Sequence, residues 1–227
     1  MEGKQVIEKS GMMETWVRKH TLLYTGATRH PFLLSIRDGT LEFSSFKKWL
    51  GQNFIVFRAL VPFVASVLMK AWKESDDKSD VDMLLNILAS MNNENSCFKA
   101  DASKWSVSLT SVVPQKATLE YCRFLESLMS SEVEYAVALT VFCIMETAFY
   151  EGFAHCLEDG TKIPDELTEF CQRYGSHGFR DQCQALQNAA NRLLEKALSD
   201  VHSKAEVNLV MGLEHEIELW NMSRREV

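Results

Sequence analysis

The chain has 227 residues, of which 46% are hydrophobic, 10 are glycine and 4 are proline. A chain of this length buries well over half of the surface that its unfolded form exposes, so a packed globule is expected without disulfides. The formal net charge is −7 and the basic residues are scattered. Nucleic acid is therefore excluded as the main partner, because phosphate binding needs a basic face.

The sequence carries no signal for export or for a membrane. No run of about 18 uncharged apolar residues is present to span a bilayer, and residues 1–14 are too polar for a signal peptide. The cysteines lie singly, with no C-x-x-C pair, at Cys97, Cys122, Cys143, Cys156, Cys171 and Cys183. We therefore expect a cytoplasmic protein with free thiols and no membrane partner.

Helical periodicity runs along the whole chain, and no segment shows a convincing period-two strand pattern. We read residues 1–227 as one all-α domain, a helical bundle of about eight helices. The predicted helices cover residues 5–26, 44–74, 81–99, 115–129, 131–158, 164–174, 179–199 and 204–224.

Particular residues are expected to shape these helices. Ser44 or Ser45 can cap the helix over 44–74, as Ser131 can cap the helix that it begins. Pro62 should kink the helix over 44–74, because it removes a backbone donor and clashes with the preceding turn. Trp105 is expected to hold the connection over 100–114 against the body of the protein.

The stretch 134–155, EYAVALTVFCIMETAFYEGFAH, is apolar on nearly every face yet contains Glu146, Tyr150 and Glu151. A helix that is hydrophobic all round belongs in a core, and carboxylates are rarely buried there unless something satisfies them. Two interpretations are open at this point. Either the acids reach a cavity or a partner, or they form structural pairs and reach solvent at the edge of the core.

Metal and thiol chemistry are both disfavoured. Glu151 and His155 lie at i and i+4, and Glu214 is adjacent to His215, so neither pair has the E-x-x-H spacing of carboxylate-bridged metal bundles. Cys143 precedes Glu146 by three residues and shares its helix face. A neighbouring carboxylate raises the pKa of a thiol and makes it less nucleophilic, so Cys143 is interpreted as a small core residue.

A set of carboxylates, aromatic rings and amides is the better candidate for chemistry. A desolvated glutamate has a raised pKa and can transfer protons near neutral pH, and aromatic rings can enclose a flat ligand. Taken singly, each of these residues could equally be a satisfied polar group in a bundle core. The set comprises Glu146, Tyr150, Glu151, Glu216, Gln52, Asn53 and Tyr121.

Four segments give the chain a resemblance to a known family. They are HPFLLSIRDGTLEFSSFKKWLGQNF (30–54), TLEYCRFL (118–125), ETAFYEGFAHCLEDG (146–160) and LEHEIELWNMS (213–223). In order and spacing they resemble the TenA family (thiaminase II, aminopyrimidine aminohydrolase), most closely the plant branch that carries a glutamate instead of the catalytic cysteine. The resemblance implies a haem-oxygenase-like all-α fold without haem.

The resemblance also implies an activity in the salvage of thiamin breakdown products. Such enzymes remove an amine, or a formyl group on it, from an aminomethyl- or formylaminomethyl-pyrimidine, and they use no metal or organic cofactor. A small-molecule pyrimidine, or another amine-bearing substrate, is then the expected partner. The family also leads us to expect a homo-oligomer, either a dimer or a tetramer.

The resemblance implies roles for individual residues as well. Glu146 matches the glutamate of the plant branch, and Glu216 matches the acid that is expected to move protons to the leaving amine. Tyr121 matches a pocket tyrosine, and either Phe149 or Tyr150 matches another. Glu151 is expected to support the site or to be structural.

Two departures from the family pattern stand out, of which the change at Asn53 bears most on substrate recognition. The other is that Phe54, Ile55 and Val56 lack the usual nearby tyrosine, while Cys143, Ile144 and Met145 replace a Trp-Ala-Ile run. Relatives normally have Gln-Asp where this chain has Gln52-Asn53, and that aspartate binds the aminopyrimidine edge. A carboxylate accepts hydrogen bonds from an amino group and a protonated ring nitrogen, whereas an asparagine offers one acceptor and one donor group. Losing the charge-assisted pair costs on the order of 1.5–3 kcal/mol. The alternatives are therefore a paralogue that acts on another amine-bearing molecule, or a non-catalytic binder of small molecules.

Overall fold

The computed structural model describes residues 10–224, and within that range it contains ten helices and no strand. The all-α prediction is confirmed, with two helices more than expected. The helices are α1 (Met12–Lys19), α2 (Thr21–Thr28), α3 (Pro31–Arg37), α4 (Phe43–Glu74), α5 (Lys78–Lys104), α6 (Lys116–Leu128), α7 (Tyr135–Cys156), α8 (Asp165–Tyr174), α9 (His177–Lys196) and α10 (Ser199–Asn221).

The first predicted helix was wrong in its extent. Its residues 5–9 lie outside the described range, and the rest forms α1 and α2, which are separated at His20. The break allows α1 to pack against α9 while α2 packs against α7 and α10. The segment after Thr28 also contains α3, where Pro31 occupies the first turn and the ring Nδ1 of His30 accepts a hydrogen bond from the Phe32 N–H. Proline at this position begins a helix rather than interrupting it.

The predicted serine caps were wrong too. Helix α4 begins after Glu42 and α7 begins after Glu134, and neither glutamate makes a side-chain capping hydrogen bond. Pro62 lies inside α4 without ending it.

Helix α7 is the centre of the bundle. It packs against α2, α3, α4, α8, α9 and α10, so it is enclosed on nearly every side. By length and composition alone, α4 and α7 are apolar enough to cross a membrane, but 67% of the most apolar window of α7 is buried inside the protein, against 44% for α4. The apolar pattern of α7 is therefore that of a core helix.

Aromatic stacking fixes α4, α7 and α10 relative to one another. The ring of Trp220 (α10) stacks on Trp49 (α4) at 5.4 Å and on Phe149 (α7) at 5.5 Å between centroids. The Trp220 Nε1–H donates to the carbonyl of Ala27 at 2.8 Å, which joins α2 to the same layer. Trp105 packs against Phe46 at 5.0 Å, and so holds the loop after α5 as predicted.

Substitution of two glycines tests the packing of α10 on α7 and the turn after α3, with opposite expected effects on stability. Gly212 lies in α10, where an added Cβ would meet only ordinary contacts, the nearest being Ile144 Cγ2 at 3.5 Å. Gly39 has φ +70° and its Cβ would lie 2.5 Å from the Lys162 carbonyl oxygen, which is backbone and cannot move cheaply. We predict that Gly212→Ala stabilises the protein by about 0.5–1 kcal/mol.

Gly39→Ala is predicted to destabilise it by about 1 kcal/mol or more, because alanine is strained at positive φ. Urea unfolding of the two variants beside the parent checks both signs. Destabilisation by Gly212→Ala would contradict the α7–α10 packing described above.

Candidate active site

Tyr121 and Glu216 form a buried hydrogen-bonded pair between α6 and α10. The tyrosine hydroxyl donates to Glu216 Oε1, while Glu216 Oε2 is buried and has no hydrogen-bond partner among residues 10–224. Burial raises the pKa of Glu216 to about 7, although the hydrogen bond from Tyr121 acts in the opposite direction. Glu216 can therefore gain or lose a proton near neutral pH, and one of its oxygens is available to a ligand.

Glu146 lies beside this pair on α7. It is half-buried, and its Oε2 accepts a hydrogen bond from Gln182 Nε2 at 3.3 Å. Burial, followed by the charges of Glu94 and Glu216, raises the pKa of Glu146 to about 8. Glu146 is therefore largely desolvated without being completely packed.

Glu94 on α5 is a third carboxylate that the sequence reading missed. It is half-buried, and burial raises its pKa while the Tyr174 hydroxyl and the charge of Arg173 act against that rise. The residue stands in the polar run NNENS, which looks like a solvated face. The usable signal was its position one helical turn before the buried Phe98, on the inward side of α5. We call Glu94, Glu146 and Glu216 the acid cluster.

An aromatic wall stands next to the acid cluster and consists of Trp49, Phe149, Tyr174 and Trp220. Phe149 is stacked on Trp220 and meets Tyr174 edge-on at 5.0 Å. Of the two alternatives left open by the sequence, Phe149 belongs to this wall. Tyr150 instead contacts Phe179 at 6.2 Å and lines a separate cavity.

His215 packs against the ring face of Tyr121. Its ring stacks on that of Tyr121 with 5.0 Å between centroids and 11° between planes, and it also contacts Phe124 at 4.8 Å. Burial lowers the pKa of His215, which favours the neutral ring.

The two amides of α4 have different surroundings. Gln52 Oε1 accepts from the Gln115 backbone N–H at 2.9 Å, and Gln52 Nε2 donates to the Val113 carbonyl at 3.0 Å, so Gln52 is structural. Asn53 is also buried, yet its amide makes no hydrogen bond within the described range 10–224. The geometry thus separates a satisfied amide from one that can bind a ligand.

Glu151 is not brought to the acid cluster. With Tyr150 it lines a cavity of about 520 Å³ between α7 and α9, and it also borders a smaller cavity of about 280 Å³ beside Tyr24 and Cys143. Arg29 Nη1 donates to the Glu151 backbone carbonyl at 3.3 Å. Burial raises the pKa of the Cys143 thiol to about 12, in line with its interpretation as a core residue. Over residues 10–224, no group of three or more His, Cys, Asp or Glu side chains is arranged to hold a metal ion.

The comparison with known proteins identifies the family. The model of the TENA/THI-4/PQQC family matches residues 17–226. The chain belongs to this family. It is 56% identical over 229 residues to a soybean (Glycine max) protein described as a probable bifunctional TENA-E protein, and the match covers 100% of both chains.

Solved structures agree on the fold. A TenA homologue from Pyrococcus furiosus has a TM-score of 0.82 at 19% identity, over 92% of this chain and 98% of its own. Haem oxygenase 2 from Chlamydomonas reinhardtii, solved without haem, has a TM-score of 0.61 at 15% identity, over 92% of this chain and 94% of its own. The predicted membership of the TenA family and the haem-oxygenase-like fold are both confirmed.

The acid cluster should make the free energy of unfolding depend on pH. Glu146 and Glu216 hold protons in the folded chain at pH values where unfolded glutamates have lost them, since their pKa values are raised to about 8 and about 7. Stability from these groups is therefore largest at acid pH and is lost as the pH rises through those values. We predict that Glu146→Gln flattens the decline in unfolding free energy between roughly pH 5 and 8.

One pKa unit corresponds to about 1.4 kcal/mol, so the flattening should be on the order of a few kcal/mol. The measurement is urea unfolding of parent and variant at matched pH values. Subtracting the variant's profile from the parent's cancels the contributions of His30 and His215, whose pKa values are lowered by burial. Parallel profiles would contradict a raised pKa at Glu146.

Proposed function

We propose that the protein is a cofactor-free hydrolase of thiamin salvage. In this proposal it removes the amine, or the formyl group on that amine, from an aminomethyl- or formylaminomethyl-pyrimidine. Family membership and the 56% identity to a probable bifunctional TENA-E protein support this class of function. The observation that carries the proposal is the buried Tyr121–Glu216 pair beside Glu146, since both acids titrate near neutral pH.

The raised pKa values of Glu146 and Glu216 allow the two acids to hold one proton between them near neutral pH. In our proposal Glu216 is the ionised partner and Glu146 the protonated one. Glu216 would then take a proton from the attacking water and deliver it to the departing nitrogen. The water oxygen bonds to the carbon, the carbon–nitrogen bond breaks, and ammonia leaves from the amine, or formate from the formyl derivative.

The remaining groups would hold the substrate and Glu216 in place. Glu146, when protonated, can donate a hydrogen bond to the reacting group. Phe149, the partly buried ring of the aromatic wall, would contact a flat pyrimidine, while the buried rings behind it hold it in place. Tyr121 keeps one oxygen of Glu216 occupied, so that the other is directed to the substrate.

We predict that Glu216→Gln lowers turnover by about 10²–10⁴-fold, because glutamine cannot transfer the proton. The assay is ammonia release from the aminomethyl-pyrimidine and formate release from the formylaminomethyl-pyrimidine. Glu214→Gln is the matched control, since Glu214 lies exposed on the same helix. Unchanged turnover in Glu216→Gln, or tight ligand binding with no turnover in the parent, would favour a non-catalytic binder instead.

A second candidate function rests on Asn53. Its unbonded amide occupies the position where relatives carry the substrate-reading aspartate, which fits a TenA-fold enzyme that has been redirected to another amine-bearing small molecule.

One substitution separates the two functions. If the substrate is the thiamin-derived pyrimidine, Asn53→Asp should improve kcat/KM by about tenfold to a hundredfold through a charge-assisted pair of hydrogen bonds. If Asn53 reads a different amine, the same change should abolish activity on that substrate. Steady-state kinetics on the pyrimidines and on a panel of amines distinguish these outcomes, and Asn53→Ala shows the effect of removing the amide alone.

A further inference from the structure

Glu94 has a place in the fold that suits it to ligand binding. Phe98, one turn later on α5, packs against Phe54 and Phe57 of α4 at 5.6 and 4.9 Å, so this part of α5 faces inward next to the helix that carries Asn53. Glu94 nevertheless keeps accessible surface. It therefore lies beside α4 without being completely packed.

Tyr174 connects Glu94 to the aromatic wall. The tyrosine is only 4% exposed, and its hydroxyl has no hydrogen-bond partner among residues 10–224. The hydroxyl lies close enough to Glu94 for each group to shift the pKa of the other. The hydroxyl and the carboxylate are thus near each other without a hydrogen bond of normal geometry, and a bound ligand can occupy their remaining donor and acceptor positions.

The protein does not supply a cation to the acid cluster. In the described chain, no Lys, Arg or His forms an ion pair with Glu94, Glu146 or Glu216, and the nearby Arg173 is engaged with Asp101 at 2.7 Å. Glu216 Oε2 is a second buried acceptor without a partner. Such a site suits a ligand that brings several N–H donors, or a positive charge, and disfavours an anion.

Glu146 links Glu94 to Glu216. The charges of both acids act on Glu146, so both are near it. Phe149, one turn after Glu146 on α7, meets Tyr174 edge-on at 5.0 Å, which places Tyr174 beside the same part of α7. In the pose that we infer, a substrate whose departing nitrogen meets Glu216 turns another edge of its ring toward Tyr174 and Glu94.

We propose that Glu94, together with Tyr174, binds the ring amino group of the substrate and provides the carboxylate that Asn53 does not. This inference rests on the proposed function, because it takes an aminopyrimidine as the ligand. Glu94 acts in recognition rather than in bond breaking, so its removal should appear in affinity and KM more than in kcat.

The experiment measures binding, which does not depend on turnover. Two ligands are titrated calorimetrically: the hydroxymethyl aminopyrimidine product and an analogue lacking the ring amino group. We expect Glu94→Gln to weaken binding of the aminopyrimidine by about ten- to a hundredfold and to leave binding of the analogue unchanged. Asp82→Asn, an exposed charge removal on the same helix, should change neither affinity.

Equal weakening of both ligands in Glu94→Gln would indicate a structural role and overturn the inference, as would no weakening of either. Glu94→Asp retains the charge and should recover part of the selective affinity. If the Glu94→Gln variant does not fold, the two ligands are compared with Glu94→Asp instead. Parent protein that binds neither ligand overturns this inference and the proposed function together. Selective binding without turnover supports Glu94 while removing the catalytic part of the proposed function.

Discussion

The site depends on one constraint, the enclosure of α7 by six other helices. Where such a helix faces its neighbours, a charged side chain is poorly solvated, and Glu146 lies in such an environment. Glu146 is therefore largely protonated near neutral pH, and the neighbouring charges of Glu94 and Glu216 strengthen that effect. The same enclosure places α10 against α7, which brings Glu216 next to Glu146.

Aromatic packing turns this constraint into a defined geometry. Trp220 follows Glu216 by one turn on α10 and packs against both Trp49 and Phe149, which also contact each other at 6.4 Å. The position of the acid is thus tied to a layer that joins three helices. On the other side, His215 stacks flat on Tyr121 and limits how far its hydroxyl can move from Glu216. Rigid rings hold polar groups well, because they lose little rotational freedom when they are packed.

Part of this arrangement could be predicted from the sequence, and the limits have physical causes. The pattern of residues 134–155 showed a core helix with misplaced acids, because burial on all faces leaves a clear hydrophobic signature. The resemblance then supplied Glu216 and Tyr121, which no spacing rule connects to Glu146. Glu94 was missed since its local sequence is polar and its burial arises from tertiary contacts with α4 and α8. Whether Glu151 supports the site or is structural was left open by the sequence. Its five-residue separation from Glu146 turns the two side chains well apart on the helix, and Glu151 lines cavities of its own.

Asn53 is better understood together with the acid cluster than alone. Each additional carboxylate in an enclosed site raises the pKa values of those already present, because like charges repel. No basic side chain of the described range forms an ion pair with the three glutamates, so an aspartate at position 53 would depend on the amine of a bound substrate to offset its charge. An amide at that position limits the repulsion and still offers one acceptor and one donor group. In the arrangement that we propose, Asn53 and Glu94 on the adjoining helix act together, and the carboxylate that reads the amino group lies on α5 rather than on α4.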